Sequence, residues 1–402
     1  MSVQAETPPQ KKKGKKILLI LLALLLVAGM GIGGYIYSVG RAWDTNTEKF
    51  EDTEQAFPNE DGTVPEEDLE AFKKAVEAGE KAPKDADGPE GSLVAAPAGT
   101  EYTLENSEGK TLASDLDRNG NGIPDSIENG NWSRPADTAA TNVLLLGSDT
   151  RGANNSEGVS GARADTIMVL HIPEDGSGAY VISVMRDTWV NIPGFGAAKI
   201  NAALNYGGVA LQVSAIEQLL NVRIDHVAEI EFFGFKKLVD TLGGVTVNNA
   251  IPFSAGPYTY TAGPNEMDGG KALVYVRQRY QFLDGDYQRV RNQRAFLRGV
   301  FNSLKSRGIL SNATEFKSTI ESIAPYMRVD NGLDAGTITQ IASPMFTNPN
   351  FSMRMMTLPN AGTGWSYDGQ SIVVVDLNAN AALSNALNTG TMENYVATYG
   401  AD

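Results

Sequence analysis

Two aspartates and several arginines sit at the ends of short apolar runs, and those residue types define the chemistry open to the chain. Asp149 and Arg151 follow NVLLLG (142–147), Arg163 and Asp165 precede TIMVLHI (166–172), and Arg186 follows AYVISVM (179–185). Two carboxylates brought side by side repel unless a cation or a proton lies between them. An all-oxygen donor pair suits magnesium, or manganese, with water and phosphate oxygens completing the shell. The plainer alternative is a pair of loop carboxylates neutralised by neighbouring arginines. A second basic group follows: Arg277 and Arg279 in ALVYVRQR (272–279), then Asp286, Arg289 and Gln293. Arg289 and Gln293 are four apart and share one face of a helix. Guanidiniums keep their charge and match phosphate oxygens with paired donors, so several of them around a carboxylate-bound metal make a site for a pyrophosphate. Arg291, Arg294 and Arg298 read instead as a solvated helix face.

The elements that must position these groups follow from the pattern around them. The three apolar runs are short, β-branched or leucine-rich and bounded by turn residues, which predicts three strands. If the second is antiparallel to the other two, the end of the first, the start of the second and the end of the third meet at one rim. Lys199 and Asn201 open a helix that runs through Tyr206-Gly207-Gly208 to Leu220. IDHVAEIEFFGFKKLVDTLGGVTV (224–247) predicts strand, amphipathic helix, Gly-Gly stop and strand. Its Phe232, Phe233, Phe235, Leu238, Val239 and Leu242 fit either a core or an apolar groove for a lipid chain. His226 reads as structural, and His171, at a strand end, has no partner legible in sequence. Whether Arg277 and Arg279 lie on a strand, projecting together, or on a helix, diverging, stays open.

The inventory narrows the chemistry. The 402 residues include no cysteine and two histidines, which excludes disulfides, thiolate metal sites and a cysteine nucleophile and leaves a histidine triad improbable. Hydrophobic residues make up 42% of the chain, enough for a substantial core. The net charge of -15 is concentrated in residues 41–136, which hold 23 acids against 9 bases. Residues 137–402 are close to neutral, so anionic ligands are not excluded.

Residues 17–39 carry no charged side chain and follow Lys11, Lys12, Lys13, Lys15 and Lys16. As a helix of about 35 Å they would cross the roughly 30 Å hydrocarbon layer, with the lysines on the cytoplasmic side. The expected order is a basic cytoplasmic tail (1–16), a transmembrane anchor (17–39), an acidic extracytoplasmic linker (40–136), a catalytic domain (137–390) and a C-terminal tail (391–402). The linker composition cannot offset ordering entropy by burial, and a flexible chain of that length would span about 55 Å root-mean-square. Within it, Asp117, Asn119, Asn121, Ile123, Asp125 and Glu128 have the spacing of a calcium loop, with Gly122 at the sharp turn. A polar Asn-Gly turn in a linker is the alternative.

Several blocks resemble, in order, the signature blocks of the LytR-CpsA-Psr family of cell-wall proteins: LLLGSDTR, ARADTIMVL, ISVMRDTWVNIPGFGAAKINAALNYGG, IDHVAEIEFFGFKKLVDTLGGV, MDGGKALVYVRQR and DYQRVRNQR. They run from Asn142 to Arg298, and weaker similarity continues through TLPNAG and GQSIVVVD. The resemblance implies an α/β fold with a central mixed sheet sandwiched by helices. It implies an enzyme at the outer membrane face that moves a glycopolymer with one phosphate from a polyprenyl-pyrophosphate carrier to peptidoglycan, with no nucleic-acid partner. By motif, Asp149 and Asp165 carry over as magnesium ligands. Arg163, Arg186, Arg277, Arg279 and Arg289 carry over as pyrophosphate-binding groups, with Arg151 placed beside them. Lys199, Asn201, Asp286 and Gln293 are supporting polar residues, and Asp165 or Asp286 would accept the hydroxyl proton. One departure is Met185, where the family usually has Pro before the Arg-Asp pair. Two other outcomes remain: a wall regulator that binds the carrier without turnover, and a pyrophosphatase that uses water as acceptor.

Overall fold

The computed structural model describes residues 38, 40–50, 56–60, 100–106, 111–117, 134–148, 164–193, 195–308, 313–348, 350–366 and 369–401. In chain order the strands are β1 (Glu48–Lys49), β2 (Thr100–Asn106), β3 (Thr111–Asp117), β4 (Thr141–Ser148), β5 (Ala164–Ile172), β6 (Gly178–Val184), β7 (Trp189–Ile192), β8 (Gly196–Lys199), β9 (His226–Glu231), β10 (Val245–Asn249), β11 (Phe253–Ala255), β12 (Tyr258–Tyr260), β13 (Gly263–Met267), β14 (Met327–Val329), β15 (Ser352–Thr357), β16 (Asn360–Trp365) and β17 (Ser371–Val375). The helices are α1 (Ala202–Leu220), α2 (Phe232–Thr241), α3 (Gly269–Arg277), α4 (Asp286–Ser306), α5 (Ala313–Ile323), α6 (Ala335–Thr347), α7 (Leu377–Thr389) and α8 (Met392–Tyr399).

A mixed seven-stranded sheet of order β1-β14-β9-β4-β5-β6-β15 forms the centre. β5 runs antiparallel to both β4 and β6, as the predicted rim requires. Alternation along these strands feeds two faces. Leu144, Leu146, Ile167, Val169, Ile182 and Val184 face the core shared with α1, α7 and α8. Met168 and Val181 point the other way, toward Met355 and Leu297 of α4. β6 is buried along its whole length, as expected of a strand covered on both sides. The fold is therefore the α/β sandwich expected. A smaller core, including Val239, Val247, Tyr260, Tyr275 and Phe296, joins α2, α3 and α4 to the β10-β13 hairpin. The turn that releases α2 into β10 uses Gly243 and Gly244 at φ 67° and 90°, a left-handed region that residues with a Cβ avoid.

Three boundaries differ from the composition reading. β2 and β3 lie inside the stretch read as linker, yet they complete a four-stranded sheet of order β17-β16-β2-β3. Residues 40–46 are helical and bury Trp43 at 3% exposure. The expected tail carries α8, whose Met392, Tyr395 and Val396 share one helical face and enter the main core. The expected anchor (17–39), apart from Ser38, and most of the calcium spacing (Asn119, Asn121, Ile123, Asp125, Glu128) lie outside the described residues; Asp117 closes β3. Among the described residues no helix is long and apolar enough to cross a membrane.

Both histidines are structural. His226 Nδ1 lies 3.2 Å from Asp330 Oδ1. His171 is fully buried with Nδ1 2.7 Å from Asn142 Oδ1, and burial pulls its pKa from 6.5 to about 4. The unfolded imidazole takes its proton near pH 6.5 while the folded one resists until about pH 4, so stability falls as pH drops through that window. The expected loss is about 3 kcal/mol, levelling below pH 4 for this group. Urea melts of His171→Gln should show a flatter dependence between these pH values than the parent chain.

Candidate active site

The rim predicted from the strand order is where the charges gather. Asp165 stands at the head of β5, and Arg186 follows the end of the neighbouring β6; Arg186 Nη1 donates to Asp165 Oδ1 at 3.0 Å. Asp286 opens α4, where a carboxylate also benefits from the positive end of the helix. The chain reaches it through Gly285 at φ 44°. Asp286 gathers three guanidiniums: Arg289 Nη2 at 2.7 Å, Arg186 Nε at 3.4 Å and Arg279 Nη1 at 3.7 Å. Lys199, at the end of β8, places Nζ 3.5 Å from Asp187 Oδ1, and Asp187 Oδ2 is 3.8 Å from Arg186 Nε. One turn along α4 from Arg289, Gln293 donates to Thr166 Oγ1 at 3.0 Å and ties the helix to β5 beside Asp165. The Asn201 backbone N–H donates to the Arg186 carbonyl at 3.2 Å, joining the start of α1 to the same corner.

The cluster holds more positive than negative charge. Four cations, Arg186, Lys199, Arg279 and Arg289, meet three carboxylates, Asp165, Asp187 and Asp286. Burial pulls the Arg289 pKa down from its usual value, with Asp286 acting against that shift. Arg289 Nε is buried without a hydrogen-bond partner among the described residues. A buried donor left unsatisfied costs about 1–3 kcal/mol, so the site is poised for an anionic acceptor. Arg277 ends α3 with its guanidinium 4.2 Å from the centre of the Phe232 ring. The helix ends at Arg277 itself, so the local structure is helical for Arg277, with Arg279 just beyond it.

Asp149, Arg151 and Arg163 lie outside the described residues; Ser148 and Ala164, which flank that segment, are paired across β4 and β5. Among the described residues no group of three or more Asp, Glu or His side chains gathers as a metal site. Magnesium needs only one or two carboxylates when phosphate and water complete its shell, and the all-oxygen carboxylate chemistry at Asp165 fits that requirement.

Sequence reasoning passed over three contributors. Asp187 links Arg186 to Lys199, and its carbonyl accepts from Val373 N at 2.9 Å, which fixes the corner to β17. Its adjacency to Arg186 was the available signal. Thr166 receives Gln293, and Arg294, expected in solvent, is buried and donates to Thr357 Oγ1. Arg291 and Arg298 are exposed as expected. Met185, the departure from the family pattern, is 1% exposed and packs with Val290, Val373 and Tyr287. It joins the end of β6 to α4, and its carbonyl accepts from Thr188 N at 2.9 Å and Thr188 Oγ1 at 2.6 Å. With Met185 in place, Arg186 still meets both Asp165 and Asp286.

The profile described as the LytR_cpsA_psr family matches residues 104–389. The chain is 33% identical over 252 residues to a polyisoprenyl-teichoic acid-peptidoglycan teichoic acid transferase TagU of Enterococcus faecalis, covering 61% of this chain and 80% of that protein. It is 42% identical over 188 residues to a probable cell wall biosynthesis protein LcpB of Corynebacterium glutamicum, covering 44% of this chain and 45% of that protein. The chain thus spans less than half the length of that second relative. Among solved structures it is similar to TagV of B. subtilis, with a TM-score of 0.52 and 20% identity over 64% of this chain and 99% of that one, a likeness of fold.

Proposed function

The chain belongs to the LytR-CpsA-Psr family, and from that premise we propose that it transfers a glycopolymer with one phosphate from a polyprenyl-pyrophosphate carrier to peptidoglycan. The observation that carries this reading is the convergence of Arg186, Arg279 and Arg289 on Asp286, with Asp165 and Lys199 beside them. Such a cluster fits two adjacent phosphates better than a neutral ligand, because each guanidinium can offer paired donors to phosphate oxygens. The relative in Enterococcus faecalis is named for a polyisoprenyl-linked teichoic acid and peptidoglycan, and the carrier and acceptor classes are proposed here on that basis.

The acceptor hydroxyl attacks the phosphorus attached to the glycan. The bond from that phosphorus to the bridging oxygen breaks, polyprenyl phosphate leaves, and a phosphodiester joins glycan to wall. The arginines and Lys199 balance charge on the phosphate oxygens, which is how phosphoryl transfer is accelerated without a covalent enzyme intermediate. Magnesium or manganese held by Asp165 with Asp149 would supply further charge neutralisation there. Asp286, already engaged by three guanidiniums, acts as their scaffold. Asp165, with its side chain 21% exposed and one close guanidinium, is the better placed acceptor for the hydroxyl proton. The Phe232 and Phe233 end of α2, adjoining Arg277, offers apolar surface to the prenyl chain; Phe233 is 53% exposed. The lysine cluster and apolar run at 11–39 support a single-pass anchor with a cytoplasmic N-terminus and the catalytic domain outside. The acidic calcium spacing is proposed as a weak binding loop apart from catalysis.

Polyprenyl phosphate release by the purified chain, from a lipid-linked oligosaccharide, tests this reading. Release is expected to rise severalfold when purified wall acceptor is added and to cease with a magnesium chelator. Equal release with and without acceptor would instead identify a pyrophosphatase.

A further inference from the structure

Residues 40–50 and 56–60 make a set of contacts that the transfer chemistry leaves unused. Trp43 inserts among Ala228, Ile320, Val329 and Leu333, and its Nε1 donates to the Leu333 carbonyl at 2.8 Å. β1 then adds in parallel to β14, pairing Glu48 with Arg328 and Lys49 with Val329. Phe50 N donates to the Val329 carbonyl at 3.2 Å, and the Phe50 side chain reaches the main core with Arg328 stacked 4.7 Å from its ring. Ala56 is fully buried in the same core.

The segment ends in a clasp. Arg134 N donates to the Glu60 carbonyl at 3.0 Å, so positions 60 and 134 adjoin although 73 residues separate them in sequence. Arg223 holds the Glu60 carboxylate through Nη1 at 2.9 Å and Nη2 at 2.6 Å. Arg134 lies 5.2 Å from the Phe57 ring centre and forms a buried pair with Glu217, Nη2 to Oε1 at 2.6 Å. Positions 60 and 134 are therefore held at one point on the domain.

We propose that residues 40–50 and 56–60 are a docked strap, an internal docking surface being filled by the chain's own N-terminal segment, and that the meeting of positions 60 and 134 locks its end to the domain. The acidic stretch then sets no distance between anchor and domain. Trp43 follows the apolar run ending at Val39 by a single helical turn, so, resting on the membrane reading above, the domain sits against the bilayer. There its site meets a pyrophosphate at the lipid surface, and the roughly 55 Å reach of a free linker is not available to it.

The test uses the full chain in detergent micelles with a protease recognition sequence substituted at residues 85–91. After complete cleavage, the two fragments are expected to elute together from a sizing column at about 1 μM, a concentration at which only a specific contact holds. Separation of the cut fragments would overturn the proposal. Trp43→Ala combined with Phe50→Ala should release most of the N-terminal fragment after cleavage. Glu60→Ala, at an exposed side chain that cannot disturb the core, should increase the released fraction severalfold, and no increase in either variant would count against the strap. In vesicles, the cut domain should sediment with the membrane. Failure of the uncut chain to sediment would refute the anchor while leaving the elution result to judge the strap.

Discussion

Asp165→Ala is expected to lower glycan transfer by about 10³-fold or more while the protein stays folded. The side chain sits at a strand head, is partly exposed, and its close partner is Arg186 Nη1 at 3.0 Å. Its loss removes a carboxylate proposed to hold magnesium, releases the guanidinium it aims, and takes away the proposed proton acceptor. These functions act on one reacting centre, so their loss is not additive. Asp165→Asn keeps a hydrogen-bond acceptor for Arg186 and separates aim from charge. Recovery of most activity in the Asn variant would assign the residue to positioning, and undiminished transfer in the Ala variant would refute its place in the site. Thermal melts of both variants check that the sheet is intact.

Arg134→Ala is expected to destabilise the fold by about 3–5 kcal/mol, the cost of leaving a buried charge without its partner. Glu217 is fully buried, and Arg134 engages both its oxygens, at 2.6 Å and 3.0 Å. The carboxylate would keep the hydrogen bond from the Ile224 backbone N–H at 2.9 Å, with Arg223 as a more distant charge. Arg134→Met with Glu217→Gln removes both charges and keeps an acceptor for Ile224 N. That double variant should recover most of the lost stability in urea melts. A loss as large as in the single variant would show that packing or the clasp, not the buried charge, dominates.

Much of the candidate site was legible because local pattern and geometry agree there. Short apolar runs bounded by turns gave β4, β5 and β6, and their antiparallel order puts Asp165 and Arg186 on one rim. The four-residue spacing of Arg289 and Gln293 places both on the buried face of α4. Other features depend on partners distant in sequence. β2 (TEYTLEN) and β3 (TLASDLD) have a linker-like composition and become strands by hydrogen bonding to each other and to β16. Arg294 resembles its exposed neighbours Arg291 and Arg298 until β15 brings Thr357 against it. The segment at 40–60 is dilute in apolar residues, but Trp43, Phe50 and Ala56 are each buried against residues distant in sequence. Composition measures what a segment could bury alone, whereas these residues complete a surface supplied by the rest of the chain.

The positive cluster also shows why overall charge was a poor guide. A chain of net charge -15 presents a corner where four cations face three carboxylates. Local field, set by which side chains the strand ends and α4 bring together, governs an anionic ligand more than the net charge summed over the chain.

The most direct measurement is mass spectrometry of wall fragments after incubation with the purified chain, magnesium and a polyprenyl-pyrophosphate-linked oligosaccharide. The account predicts fragments heavier by the glycan plus one phosphate, joined through a phosphodiester, with polyprenyl phosphate released in equal amount. Unmodified fragments alongside free glycan phosphate would contradict it.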